Sequence, residues 1–289
     1  MTQAPHLFCF GLGYSAGALA RTVLAEGWQV TGTCRTMDHG AELEKLGAIP
    51  LLFDRAHPLS DLERHLGAAT HLLSSVPPDA AGDPVLDLHR AEIAAASSRL
   101  AWIGYLSTTG VYGDRGGGWV DERSALTPSG ERGRRRLDAE RAWTALPQPA
   151  HLFRLAGIYG PGRSALDTAR GGTARRVVKP GQVFSRIHVD DIVAVLRASM
   201  ARPAPGAAYN VCDDDPADPA AVIAFACDLL GVTPPPEVPF AEATLSPMAR
   251  SFYDDNKRVN NERIKRELGV VLRYPSYREG LRALLKAGD

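Results

Sequence analysis

The sequence predicts an α/β fold: a doubly wound parallel sheet with helices on both faces and a small α-rich C-terminal lobe. Three observations lead there. Short apolar runs alternate with helix-length amphipathic stretches through the first half of the chain. A glycine turn, Gly11-Leu12-Gly13-Tyr14-Ser15-Ala16, joins the first such run to the first such stretch. The last quarter reads as mostly helical, with its own capping signals.

Taken in order, strands are expected at His6–Phe10, Gln29–Cys34, Pro50–Phe53, Thr70–Val76 and Leu100–Leu106. Ala16, Leu19, Ala20, Val23 and Leu24 recur at helical spacing and define the first helix face. Ala41–Leu46 reads as a short helix and Val85–Leu100 as a long one. Gly113–Gly133, rich in glycine and charge, reads as a loop. Leu137–Leu146 is a helix ended by Pro147, and His151–Leu155 a sixth strand. Gly157–Gly181 is a second irregular region. Ile192–Met200 reads as a helix and Tyr209–Cys212 as a strand. Asp218 caps a helix with Pro219 at its first position and Gly231 beyond its end. Ser276 and Glu279 form a capping box for the last helix, Tyr277–Lys286. Residues 1–155 and 185–213 are expected to form the core, and 156–184 and 214–289 a discontinuous lobe for substrate.

Composition excludes several partners. The 289 residues carry 33 basic and 33 acidic side chains, so nothing supports a nucleic-acid or anionic-membrane surface. The four cysteines, Cys9, Cys34, Cys212 and Cys227, form no CxxC pair and lie in apolar runs. Buried thiols in a reducing compartment are the reading, with no metal site. No window reaches the apolar length of a membrane span. Gly11, Gly13, Ser15 and Gly17 interrupt the start as no signal peptide does, so a cytoplasmic location is expected.

The glycine turn follows a strand and opens a helix, which is the context of the dinucleotide fingerprint of a Rossmann-type sheet. Gly11 permits the tight turn, Gly13 admits the pyrophosphate, and Ala16 is small enough for close helix–strand packing. The helix start, at Tyr14 and Ser15, offers N–H groups and a positive dipole end to phosphate. Arg35 stands after the second strand, where an acidic residue would select the adenosine 2′-OH. It suits a 2′-phosphate, which favours NADP and leaves NAD as the alternative, with Asp38 taking the ribose.

The chain resembles the extended short-chain dehydrogenases/reductases of the NAD-dependent epimerase/dehydratase kind. The likeness runs over nearly its whole length, through the glycine turn, Leu106-Ser107-Thr108-Thr109-Gly110-Val111-Tyr112-Gly113 and Arg154-Leu155-Ala156-Gly157-Ile158-Tyr159-Gly160-Pro161-Gly162. It continues in Ile187-His188-Val189-Asp190-Asp191, Tyr209-Asn210-Val211 and Glu267-Leu268-Gly269. The resemblance implies an NAD(P)-binding oxidoreductase or epimerase-like protein, with Ser75, Val76 and Pro77 at the nicotinamide end of the groove and Asp54 near the adenine. It also implies a homodimer as an available assembly, paired through the helices near Val85–Leu100 and Leu137–Leu146. Such enzymes move a proton with a Tyr, tuned by a Lys, and orient the substrate oxygen with a Ser or Thr. Here Thr108 takes the hydroxyl position. In Pro128–Glu140, however, Arg132 stands at the Tyr position and Arg136 at the Lys position. A guanidinium keeps its proton, so Arg132 cannot replace a tyrosine.

The remaining candidates each have two readings. Asp121 and Glu122 are acid–base groups or solvated loop charges. His188, before Asp190-Asp191 at a helix start, is a candidate replacement for the tyrosine or a structural or capping residue. Tyr253 and Lys257 match Tyr-x-x-x-Lys in the wrong place, as a chance occurrence would. The basic segment Arg163–Lys179, with Arg163, Arg175 and Arg176, binds a phosphorylated or nucleotide-sugar substrate or is a solvated surface. An oxidoreductase-type or epimerase-like protein of unidentified substrate is the reading, with a non-catalytic NADP-binding sensor or scaffold as the alternative.

Overall fold

His6–Phe10 forms β1, buried at every residue, as a strand covered on both faces must be. The structure, a computed structural model, describes residues 4–288. After β1 come α1 (Tyr14–Ala25), β2 (Gln29–Cys34), α2 (Met37–Leu46), β3 (Ile49–Leu52), α3 (Leu62–Ala68), β4 (His71–Ser74), α4 (Pro84–Ser97), β5 (Trp102–Thr108) and α5 (Glu131–Thr144). A seven-stranded sheet runs Ala208–Val211, His151–Leu155, β5, β4, β1, β2, β3. The pairs from β5 to β3 are all parallel, with Leu7 opposite Val30 and His71. This is the predicted Rossmann-type sheet.

The chain divides into two compact units. The first holds the chain up to Thr108, Arg134–Arg154 and Val195–Tyr209. Its core joins Phe8, Phe10, Leu72, Ile103 and Tyr105 on one sheet face to Leu62 and Leu66 of α3, Val85 and Ile93 of α4 and Trp143 of α5. Leu7, Cys9 and Leu73 alternate to the opposite face and are also fully buried. Helices therefore cover both faces. All four cysteines are buried and free.

The second unit holds Thr109–Gly133, Leu155–Ala194 and the chain from Asn210 onward. Tyr159, Leu166, Ala226, Tyr277 and Leu281 form its main apolar cluster. Three two-stranded parallel sheets brace it: Gly157–Tyr159 with Arg186–His188, Arg176–Val178 with Glu237–Pro239, and Trp119–Val120 with Arg258–Val259. Asp218 caps Pro219–Leu230 by accepting from the Ala220 N–H at 2.9 Å, and Gly231 ends it in left-handed geometry, as expected. Ser276 caps Tyr277–Ala287 through the Arg278 N–H at 3.1 Å and donates to Glu279.

Several boundaries differ from the sequence reading, each for a physical reason. Helix α2 starts at Met37 and not Ala41, because Thr36 accepts from the His39 N–H at 3.3 Å and caps it. Helix α5 starts at Glu131 and not Leu137, since its first turns are polar and carry no apolar period. Helix α3 was not anticipated: Leu62 and Leu66 are its only buried side chains. The basic segment is not a plain loop. Ser164 and Asp167 form a capping box for a helix at Ala165–Arg170, and Arg176–Val178 is a strand.

Candidate cofactor site

The site lies in the first unit, at the carboxyl ends of β1 to β4, where open α/β sheets hold ligands. Gly11 leaves β1 with φ +79°, a conformation that excludes side chains at little cost only for glycine. A Cβ there would also come within 3.0 Å of Ser75 Oγ and Val76 Cγ2. The turn is fixed from β2. Thr33 Oγ1 accepts from the Gly11 N–H and the Thr33 carbonyl from the Leu12 N–H, both at 2.8 Å. Ser75 Oγ donates to the Gly11 carbonyl from the other side. Gly32 in β2 makes this possible, since a Cβ on it would meet Leu12 Cβ at 2.8 Å.

Gly13 is different. It precedes α1 as an N-cap without a capping side chain. A Cβ on it would meet no protein atom within 4 Å and would project into open space. No packing contact within the protein requires that position to be glycine. A cavity of about 680 Å³ begins there, lined by Gly11, Gly13, Arg35, Asp54, Val76 and Pro77 among others. That volume and those walls fit a dinucleotide: uncapped helix N–H groups for the diphosphate and apolar Val76–Pro78 beside it. No group of three or more His, Cys, Asp or Glu side chains placed to hold a metal ion occurs among the described residues.

Arg35 is exposed beside the cavity and makes no ion pair among the described residues. Asp54 is half-buried and already engaged: Oδ1 accepts from the Ala56 N–H at 2.7 Å, the His57 N–H at 2.9 Å and the His57 ring at 2.9 Å. The His57 contact, aided by the two amides, holds its carboxyl below the usual range. Sequence reasoning missed several lining residues, among them the polar Thr33, His39, Arg55 and Asp79. Thr33 carried a faint signal as a hydroxyl at a strand end. Arg55 carried none, because its partners are distant in sequence.

At the end of β5 the neighbourhood of Thr108 is tightly built. Ser107 Oγ donates to Glu140 at 2.5 Å, and Arg154 pairs with the same carboxylate at 2.8 Å. Both charged side chains are almost fully buried. Arg136 donates to the Leu106 carbonyl at 2.7 Å and to Tyr105 Oη at 3.1 Å, and lies over the Tyr105 ring. It ties α5 to β5 and does not line the cofactor cavity. Tyr105 is fully buried, and burial pushes its hydroxyl far up.

The second unit holds the other sequence candidates. Arg132 is exposed and lies over the Phe252 ring at 5.6 Å. Arg175 donates to the Thr244 carbonyl, Arg176 pairs with Glu237 at 2.5 Å, and Lys179 donates to the Tyr253 carbonyl. Arg163 is exposed before the helix at Ala165–Arg170. Asp121 is held by Ser124 in its own loop, while Glu122 accepts from the Asn210 N–H at 2.8 Å and burial raises its carboxyl. His188 Nδ1 accepts from the Asp190 N–H at 3.1 Å, so it does cap. Tyr253 packs between Phe184 and Phe240, and Lys257 holds the Gly113 carbonyl at 2.9 Å. That pair is structural.

Asp213 is a buried carboxyl of the second unit. It is 1% exposed, its Oδ2 has no partner among the described residues, and burial pushes it up to about 8 against the pull of Arg186. The folded chain thus keeps a proton that the unfolded chain sheds near pH 4. Stability from this group is full below that pH and declines as pH rises towards 8. We expect Asp213→Asn, which has no proton to lose, to gain in melting temperature over the wild type between pH 5 and pH 8. Thermal unfolding at both pH values checks it; a difference that does not change with pH contradicts it.

No protein-family model matches the chain. A conserved protein of unknown function from Silicibacter pomeroyi DSS is 53% identical, with a TM-score of 0.91 over 99% of this chain and all of that one. Protein YeeZ of Escherichia coli K12 is 29% identical over 281 residues, 92% of this chain and 94% of YeeZ. A Methylobacillus flagellatus structure provisionally assigned as an NAD-dependent epimerase/dehydratase is 26% identical, with a TM-score of 0.76 over 99% of each chain. The fold is also that of DesIV, a dTDP-glucose 4,6-dehydratase from Streptomyces venezuelae solved with NAD bound: 17% identity, TM-score 0.78, over 97% of this chain and 96% of DesIV. With its parallel seven-stranded sheet and glycine turn, the chain has the Rossmann-type fold of these NAD-dependent epimerase/dehydratase structures and is similar to them over nearly its whole length.

Proposed function

We propose that this protein binds NADP in the cavity of its first unit and works as an NADP-binding module without the Tyr–Lys proton relay of its enzyme relatives. The observation that carries the reading is the contrast at Gly13 and Arg136. The Gly13 position stays open for a diphosphate, whereas the Arg136 guanidinium is spent on Leu106 and Tyr105. Arg35 would read the 2′-phosphate as a bidentate donor. NAD bound to DesIV supports the dinucleotide; Arg35 supports NADP over NAD. A homodimer through α4 and α5 belongs to this reading.

A second reading keeps catalysis: an oxidoreductase or epimerase-like enzyme acting on a phosphorylated or nucleotide-sugar substrate. Thr108 favours it, retained at the end of β5 on the rigid Ser107–Glu140–Arg154 platform. Arg163, Arg175 and Arg176 would belong to its substrate region, although the last two are engaged with Thr244 and Glu237. Hydride exchange with NADPH, measured over a panel of nucleotide sugars, separates the readings. We expect binding without turnover. Turnover on any panel member that falls at least tenfold in Thr108→Ala, an effect of the size general acid–base groups give, would overturn the non-catalytic reading in favour of the enzyme.

A further inference from the structure

The two arginines of the dinucleotide cavity are used in opposite ways. Arg35 makes no ion pair among the described residues and faces solvent. Arg55 is doubly engaged. Its Nε and Nη2 meet the two Asp79 oxygens at 2.5 and 2.9 Å, and Nη2 also meets Asp87 at 2.6 Å. Two carboxylates neutralise it, so it is a poor reader of phosphate.

Sheet order makes this pairing consequential. Strands β3 and β4 are separated by β1 and β2, which is three strand spacings or roughly 14 Å. Arg55 follows β3 and Asp79 follows β4, yet their side chains touch, and both residues line the cavity. The contact therefore bridges across the ends of β1 and β2, the strands that carry the glycine turn and Arg35. Each abutment is fixed by its own backbone. Asp79 Oδ1 accepts from the Ala81 N–H at 2.8 Å, and the Asp79 N–H donates to the Gly82 carbonyl at 2.9 Å. Asp87 lies in the first turn of α4, where the helix dipole favours a carboxylate. On the Arg55 side, the adjoining Asp54 is held by the Ala56 and His57 amides.

Resting on the cofactor reading above, we infer that Arg55 is a positioning residue for the dinucleotide: a strut that holds the walls after β3 and β4 at the spacing the ligand needs. All three side chains are partly exposed, so the pairs contribute little to folding itself. Their effect falls on the ligand, because a cavity held at the bound width loses less freedom on binding.

The test is the dissociation of NADPH and of NADH, followed by stopped-flow displacement of nucleotide fluorescence from the full chain. Arg55→Ala should release both nucleotides faster by the same factor, roughly tenfold, the scale of one charge-assisted hydrogen bond lost. The NADPH/NADH affinity ratio should stay at the wild-type value. The double variant Asp79→Asn/Asp87→Asn should match it while retaining the Arg55 charge, and it carries the test alone if Arg55→Ala does not fold. Dissociation at the wild-type rate in the folded variants overturns the strut. Loss of NADPH but not NADH binding also overturns it and makes Arg55 a 2′-phosphate ligand. A wild-type chain that binds neither nucleotide removes the cofactor reading itself, an outcome seen before any variant is made.

Discussion

Gly13→Val should abolish dinucleotide binding and leave the fold intact. The backbone at Gly13, with φ −87° and ψ −155°, is open to any residue. An added Cβ meets no protein atom within 4 Å. The substitution therefore costs the folded chain little, within the ordinary range of exposed changes. Its isopropyl group would occupy the space over the first turn of α1, where the diphosphate must approach the N–H groups. We expect affinity for NADPH to fall beyond detection, by a factor on the order of 1,000 or more, since several charge-assisted hydrogen bonds are lost together. Circular dichroism and melting should match the wild type. Gly11→Val is the informative contrast. With φ +79° and neighbours at 3.0 Å, it should lower the melting temperature as well as affinity. Near-wild-type nucleotide affinity in Gly13→Val would show that the ligand lies elsewhere.

Arg35→Asp should invert the choice of cofactor. The wild-type guanidinium is exposed at the cavity edge, just beyond β2, with Thr36 capping the helix that follows. Removing it takes away a bidentate phosphate contact, and the carboxylate adds repulsion to a dianionic group. NADP affinity should drop on the order of 100-fold, from hydrogen bonds to charged groups worth about 1.5–3 kcal/mol. NAD has no 2′-phosphate and regains an acceptor for its ribose hydroxyl, so its affinity should hold or rise. Parallel fluorescence titrations with NADPH and NADH measure both. Unchanged NADP affinity would leave Arg35 with no part in selection.

The parts legible in the sequence are those whose signal is local. The glycine turn could be read because its turn and helix-entry signals all fall within Gly11–Ala16; of that segment Gly11, Leu12 and Gly13 line the cavity, whereas Tyr14, Ser15 and Ala16 do not. Strand β1 was readable to the residue because a buried parallel strand is a near-continuous apolar run, and β2 was read to its ends although Thr31, Gly32 and Thr33 interrupt its apolar side chains. The start of α2 was hidden, since its signal is the Thr36 hydroxyl and not an apolar period. The arginines of the basic segment hide their protein partners in the opposite way. Their charge invites an anion, but Arg175 and Arg176 find Thr244 and Glu237 some sixty or more residues further along the chain. The Arg55 strut was invisible for the same reason: Asp79 and Asp87 lie 24 and 32 positions away and meet it only once the sheet has formed. The resemblance sets Arg136 at the Lys position in sequence but carries no signal of where its guanidinium goes, and that group turns onto Leu106 and Tyr105.

Calorimetric titration of NADPH and, separately, NADH into the purified chain is the most direct measurement. The structure-based account predicts saturable binding of one nucleotide per chain, tighter for NADPH. Absence of saturable heat with both nucleotides, in a chain shown to be folded, would contradict it.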